Sequence, residues 1–428
     1  MTARHGWDRG PGETHLPGTR PATNEGDLSM TATDTRPTSD ASDAEAIGAA
    51  VAAALRTIDA NLREFGERYP GDTTVHNRYT LRPAGSGQPE GANIGWTTSF
   101  WPGMLWLAYE LTGAEAYRRA GAAHARSFVE RVDNQIDLDT HDLGFLYTLG
   151  AVTAWRLAGD EEARRAALSA ADHLASRVLE PAGIIQAWGA MNDPLQRGRT
   201  IIDSLMNTPL LFWASRASGD PRYATLAHRH AAQLRDNIIR PDNTTFHTFY
   251  WDPVTGEPLR GATEQGSADD SCWARGQAWG IYGFSLNYRH TGDDTFLVAA
   301  QRCADYFLAH LPADQIAYWD LVYGDDSGEE RDSSAAAIAS CGLVELAGAL
   351  GDTAQAATYR AAASRMLRSL VDGYTGAAVP GSNALILHSV YDKPKGIAVD
   401  EGSLWGDYFY LEALTRATRP DWQPYWCC

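Results

Sequence analysis

Residues 203–239 read DSLMNTPLLFWASRASGDPRYATLAHRHAAQLRDNII. An apolar run ends at Ser218 and Gly219, an acidic residue follows at Asp220, and the next segment carries Tyr223, Leu226, Ala227, His230, Leu234 and Ile238 on one helical stripe. Glycine takes the left-handed conformation that ends a helix, and a carboxylate just beyond it suits the N-terminus of the next. The stretch is therefore a helix hairpin with one apolar and one amphipathic member.

The same punctuation recurs at Gly113, Gly159, Gly292 and Gly351. Working outward from it predicts helices over 43–67, 97–111, 114–132, 143–157, 160–178, 203–216, 220–239, 271–289, 293–311, 333–349, 352–372 and 403–416. β-branched alternation is confined to 244–251 and 383–391. Six hairpins in a row predict one all-α toroid, an (α/α)6 barrel, rather than the several domains that 428 residues would otherwise suggest. The more apolar or aromatic second members form the inner ring, so their N-termini share one mouth. Trp96, His141, Asp142, Asp203, the stretch 265–275, Asp332 and the stretch 401–405 lie in the loops there. Residues 1–41, poor in aliphatic side chains, read as a disordered leader, with Met30 a candidate start; the barrel takes 42–428, entered by a capping box at Ser42 and Glu45.

The formal net charge of −18 repels nucleic acid and anionic membranes. No window approaches the roughly 18 consecutive apolar residues of a membrane helix, and no signal-peptide pattern opens the chain. Cys272, Cys303, Cys341, Cys427 and Cys428 are scattered and odd in number, which fits a reducing, cytoplasmic setting and no structural metal. Lys393 and Lys395 are the only lysines. Phosphate-loop, zincin, dinucleotide-fold and nucleophile-elbow motifs are missing.

Asp142 and Asp203 each stand where an inner helix begins, and the simplest role for such an aspartate is an N-cap. Capping leaves unexplained the apolar Ile201 and Ile202 before Asp203, which would raise its pKa and suit a general acid. Two carboxylates at one mouth fit glycosidic chemistry. Trp96, Trp101, Trp106, Trp188, Trp273, Trp279 and Trp405 cluster in the same regions, Trp106 as core and others as faces for sugar rings. His247 falls on a possible short strand by the mouth, whereas His228 and His230 are read as surface or packing residues of an outer helix. Arg275, one turn into an inner helix, needs an anion: Asp269, Asp270 or a substrate carboxylate.

The segments beginning at Asn93, His141, Ile202, Trp273 and Ser403, in this order, make residues 45–416 resemble the unsaturated glucuronyl hydrolases of glycoside hydrolase family 88. The resemblance implies an (α/α)6 barrel that removes a terminal 4,5-unsaturated uronic acid from lyase-generated oligosaccharides, without metal or organic cofactor, as monomer or homodimer. It assigns Asp203 as general acid and base and Asp142 as the second essential carboxylate. Trp96, His141, His247, Gln265, Arg275 and Trp279 become the wall of the unsaturated-sugar subsite. Sulfate-preferring members carry Ser-x-x-Ser-x-Lys; the corresponding stretch from Ser389 has Asp392 at the second serine and Pro394 at the lysine, which argues against a sulfate preference unless Lys393 or Lys395 compensates. The nearest alternative is the family 105 unsaturated rhamnogalacturonyl hydrolase, followed by a sugar epimerase using His141 and His247, and by a non-catalytic glycan-binding toroid.

Overall fold

The repeat glycines do what the hairpin reading requires of them: in a computed structural model describing residues 39–427, all five have φ between 64° and 78°. Gly113, Gly159, Gly219 and Gly292 close their helices in the left-handed conformation and donate N–H to the carbonyl four residues back. Asp160, Asp220 and Asp293 then accept backbone N–H groups of the following helices. After Gly351 the cap is Thr353 rather than an acid.

The outer helices are α1 (Ser39–Phe65), α3 (Glu115–Asp133), α6 (Glu161–Ser176), α8 (Pro221–Asn237), α10 (Asp294–Ala309) and α12 (Ala354–Gly373). The inner ring consists of α2 (Phe100–Thr112), a composite of α4 (Leu143–Tyr147) and α5 (Thr153–Ala158), then α7 (Thr208–Ser218), α9 (Ala274–Thr291), α11 (Ser333–Leu350) and α13 (Leu404–Thr418). Inner members are buried over nearly every residue; α9 is buried without a break from Ala274 to Asn287. Outer members bury one stripe, as α6 does with Ala163, Ala166, Ala167, Ala170, Ala171 and Leu174. Each inner helix packs on the next and α13 packs on α2, which closes the (α/α)6 ring. From Ala41 onward the chain is one compact unit; the predicted leader lies almost wholly outside the described residues.

Several local expectations change. α1 begins at Ser39, so Ser42 lies inside it rather than at its N-cap position. The predicted helix 143–157 is interrupted by a π turn at Thr148–Val152, where a side chain on Gly150 would collide with the Phe128 ring. The predicted helix 203–216 opens instead as a 3₁₀ turn, Ile202–Met206. Among the described residues, short strands form three small antiparallel sheets: β1 (Val178–Leu179) with β2 (Ile184–Ile185); β3 (Arg199–Ile201), β4 (Thr248–Trp251) and β5 (Pro258–Ala262); and β6 (Ser389–Asp392) with β7 (Ile397–Glu401). Residues beyond α13 turn back, burying Trp426 against Phe145, Tyr408 and Phe409. Helix α11 has the length and composition to cross a membrane, but 78% of it is buried in the ring.

Candidate active site

Neither aspartate is a cap. Asp142 precedes α4 in helical conformation with no side-chain cap bond, and Asp203 sits within the 3₁₀ turn, whose start is also uncapped by a side chain. The two segments are fastened to each other. Asn207 Oδ1 accepts the Phe145 N–H at 2.8 Å, and a Cβ on Gly144 would stand 2.2 Å from the Asn207 Cα, so only glycine allows this approach. His141 lies between the carboxylates, its Nε2 3.4 Å from Asp142 Oδ1 and 3.6 Å from Asp203 Oδ1.

Burial pushes the Asp142 carboxyl up to about 6, against the hydrogen bond that the Thr140 hydroxyl donates to Oδ2 at 2.7 Å. Asp203 is raised well above the carboxylate range by burial and then by the charge of Asp142, with Arg275 opposing. The pair therefore separates into a carboxylate at Asp142 and a carboxylic acid at Asp203. His141 is held neutral, at about 3, by burial and by Arg177 and Arg199. Among the described residues, His141, Asp142 and Asp203 offer donor atoms within 4.8 Å of one another. That set can share a proton as readily as a cation.

These carboxylates border a cavity of about 140 Å³ whose other polar walls are His247, Gln265 and Arg275. Its aromatic walls are Trp96, Trp188, Trp273, Trp279 and Tyr391. Trp96 stacks on Trp405 at 5.2 Å and donates its indole N–H to Tyr391 Oη at 3.0 Å. His247, just before β4, accepts the N–H groups of Glu264 and Gln265 on Nδ1, at 3.0 and 3.2 Å, and burial keeps the ring neutral. Its proton is therefore on Nε2. Gln265 Oε1 accepts an N–H of Arg275 Nη2 at 2.8 Å, which leaves the amide N–H groups of Gln265 as donors.

Arg275 corrects the expectation about its partner. It pairs with Asp332 at 3.0 Å, both side chains being buried, and not with Asp269 or Asp270. Its other terminal contacts are Gln265 and the carbonyls of Val390 and Tyr391, and it lies over Trp273 at 4.5 Å and Trp405 at 5.0 Å. Arg275 is also the second residue of α9, not one turn in. It braces the wall and contributes positive potential.

Two of the anticipated residues stand elsewhere. Ser389 is buried in a cluster with Ser333 and Ser403, at 3.0 and 3.2 Å, away from the cavity wall. Lys393 pairs with Glu329 and Glu330. Conversely, Tyr391 and Asn207 are parts that the sequence reading did not single out, and His230, read as a surface or packing residue, is completely buried and also bonded to Ser204, next to Asp203. A histidine on the apolar stripe was the available signal.

An acid and a carboxylate sharing one small aromatic-walled mouth, with fixed N–H donors facing them, define a carbohydrate-active hydrolase. The pattern of Glycosyl Hydrolase Family 88 matches residues 73–414. The chain is 45% identical over 383 residues to the unsaturated chondroitin disaccharide hydrolase of Streptococcus pyogenes serotype M1, covering 89% of this chain and 93% of that one. It is 44% identical over 371 residues to the unsaturated glucuronyl hydrolase of Bacillus sp. (strain GL1), with coverages of 86% and 96%. The crystal structure of the Streptococcus agalactiae unsaturated glucuronyl hydrolase matches with a TM-score of 0.84 at 42% identity, over 89% of this chain and 94% of that one. This protein belongs to glycosyl hydrolase family 88.

Proposed function

We propose that the chain removes the terminal 4,5-unsaturated uronic acid from oligosaccharides left by polysaccharide lyases, by hydrating the C4=C5 enol ether. The observation that carries this reading is the placing of the Asp142 and Asp203 carboxylates on one cavity, 3.4 and 3.6 Å from His141 between them, where burial and the charge of Asp142 favour the protonated form of Asp203 and so supply an acid where the double bond needs a proton. Asp203 gives its proton to C4, and positive charge develops at C5 and the ring oxygen. Water adds at C5 while the Asp203 carboxylate takes its proton, restoring the acid. The resulting hemiketal opens and releases the remaining glycan. Asp142 keeps Asp203 protonated, and the N–H donors of His247 and Gln265 with the potential of Arg275 suit the uronate carboxylate. Loss of the conjugated ultraviolet absorbance of an unsaturated disaccharide tests the reading, and an unchanged spectrum would refute it.

The family 88 match disfavours the family 105 alternative. Protonation patterns also disfavour the epimerase: burial holds His141 and His247 neutral, and His247 has one nitrogen committed to backbone. For the leaving sugar we propose an unsulfated residue. The Ser389 hydroxyl is enclosed, Lys393 is neutralised by Glu329 and Glu330, and Lys395 by Asp392 at 2.7 Å. Competition between matched sulfated and unsulfated chondroitin disaccharides should give the unsulfated one the higher kcat/KM, and a clear preference for the 4- or 6-sulfated compound would overturn this. Buried, unbridged Cys272, Cys303 and Cys341 support a reducing, cytoplasmic setting.

A further inference from the structure

No protein hydrogen bond holds the Asp203 Oδ1, so the direction of this carboxyl depends on the turn that carries it. Two fixings define that turn. The Ile202 N–H bonds the His247 carbonyl at 3.0 Å, and the Ser204 hydroxyl bonds the Ile201 carbonyl at 2.7 Å, closing a loop around Ile202 and Asp203. Ser204 is in turn reached from the outer ring. His230 on α8 places Nε2 2.8 Å from Ser204 Oγ, while its Nδ1 accepts the Ile185 N–H at 3.0 Å.

The acceptor role of Nδ1 fixes the neutral ring's proton on Nε2, so the chain of donors has one direction. Ile185 N–H donates to His230 Nδ1, His230 Nε2–H to Ser204 Oγ, and the Ser204 hydroxyl proton to the Ile201 carbonyl. Burial holds the His230 ring neutral, at about 3, so this order persists through the neutral pH range. A histidine this enclosed, with both nitrogens assigned, is an expensive way to fill an apolar stripe unless the direction of Ser204 matters.

We infer that His230 is a positioning residue for catalysis, acting through Ser204 to aim the Asp203 carboxyl at the reacting carbon. This inference rests on the role proposed for Asp203 above. Displacing a catalytic group by about 1 Å can cost on the order of a hundredfold in rate, so a bond that sets the turn acts on kcat rather than on substrate affinity.

The test uses the full chain, an unsaturated disaccharide and two substitutions that divide the imidazole. In His230→Gln the amide N–H can still reach Ser204, whereas His230→Asn keeps only an acceptor near Ile185. We expect His230→Asn and Ser204→Ala to lose about tenfold in kcat with KM held within about twofold, and His230→Gln to recover most of that loss. The double variant Ser204→Ala with His230→Asn should be no slower than either single one. Equal kcat in the Gln and Asn variants, or a Ser204→Ala enzyme as fast as wild type, would overturn the inference. A wild-type enzyme that leaves the disaccharide intact would instead refute the proposed function, so the two failures are distinct.

Discussion

Asp203→Asn can be read more cleanly than most active-site substitutions because the side chain caps no helix and no protein group hydrogen-bonds its Oδ1. We expect turnover to fall by at least about a hundredfold, the lower end of general acid-base catalysis, with the thermal midpoint unchanged or raised. A variant retaining more than about a hundredth of wild-type turnover would point to another proton donor. Asp142→Asn makes a different prediction. Its charge helps raise Asp203, so removing it lowers the Asp203 pKa, and the alkaline limb of the kcat/KM profile should move to lower pH; a fixed limb would show that burial alone sets Asp203. Both aspartates were legible in the sequence because each stands at the start of an apolar helix in a loop facing the mouth. The Arg275–Asp332 pair was harder to read, since its members are 57 residues apart and meet only through ring geometry. The bond of His230 to Ser204 was missed because a stripe predicts burial but not a hydrogen-bond partner.

Among the elements, the short backbone approach between α4 and the Asn207 turn governs the spacing of the carboxylates. A Cβ at Gly144 would meet the Asn207 Cα at 2.2 Å and its carbonyl oxygen at 2.4 Å, and backbone cannot swing aside as a side chain can. Gly144→Ala should therefore cost about 1–3 kcal/mol by overpacking, read as a lower denaturation midpoint, and reduce turnover beyond that loss. Full stability with full activity would show that the segments slide freely. Helix periodicity made the hairpins visible, but the π turn and the 3₁₀ turn stayed hidden, because each arises where a helix accommodates a neighbour. The placement of Trp426 escaped for a similar reason: a short aromatic tail has no periodicity to reveal where it packs.

For the molecule as a whole, buried ionisable groups set opposing pH trends. Asp407, raised to about 7 by burial against the bond it accepts from the Ile386 N–H at 2.9 Å, holds a proton that the unfolded chain releases near 3.8. Its contribution to stability is complete below about pH 4 and is lost as pH rises through 7. His124 and His290, depressed to about 4 by burial, act oppositely: their contribution is complete above 6.5 and is lost as pH falls through 4. Asp407→Asn should remove the decline that this group imposes between about pH 4 and 7, so that the rise due to His124 and His290 over the same range becomes steeper, while the profile above pH 7 keeps its slope. An identical slope between pH 4 and 7 would assign that decline to other groups.

Ring closure bears on how the chain reaches this state. The α13–α2 contact joins the last inner helix to the first, with the Tyr408 ring lying where a Cβ on Gly103 would come within 2.8 Å. Until that contact forms, a folding intermediate exposes two apolar flanks at once, and either can capture the equivalent flank of another molecule. Refolding yield should therefore fall steeply with protein concentration while the folded enzyme stays resistant to aggregation, and Gly103→Ala should accelerate opening of the ring more than it slows the formation of the individual hairpins.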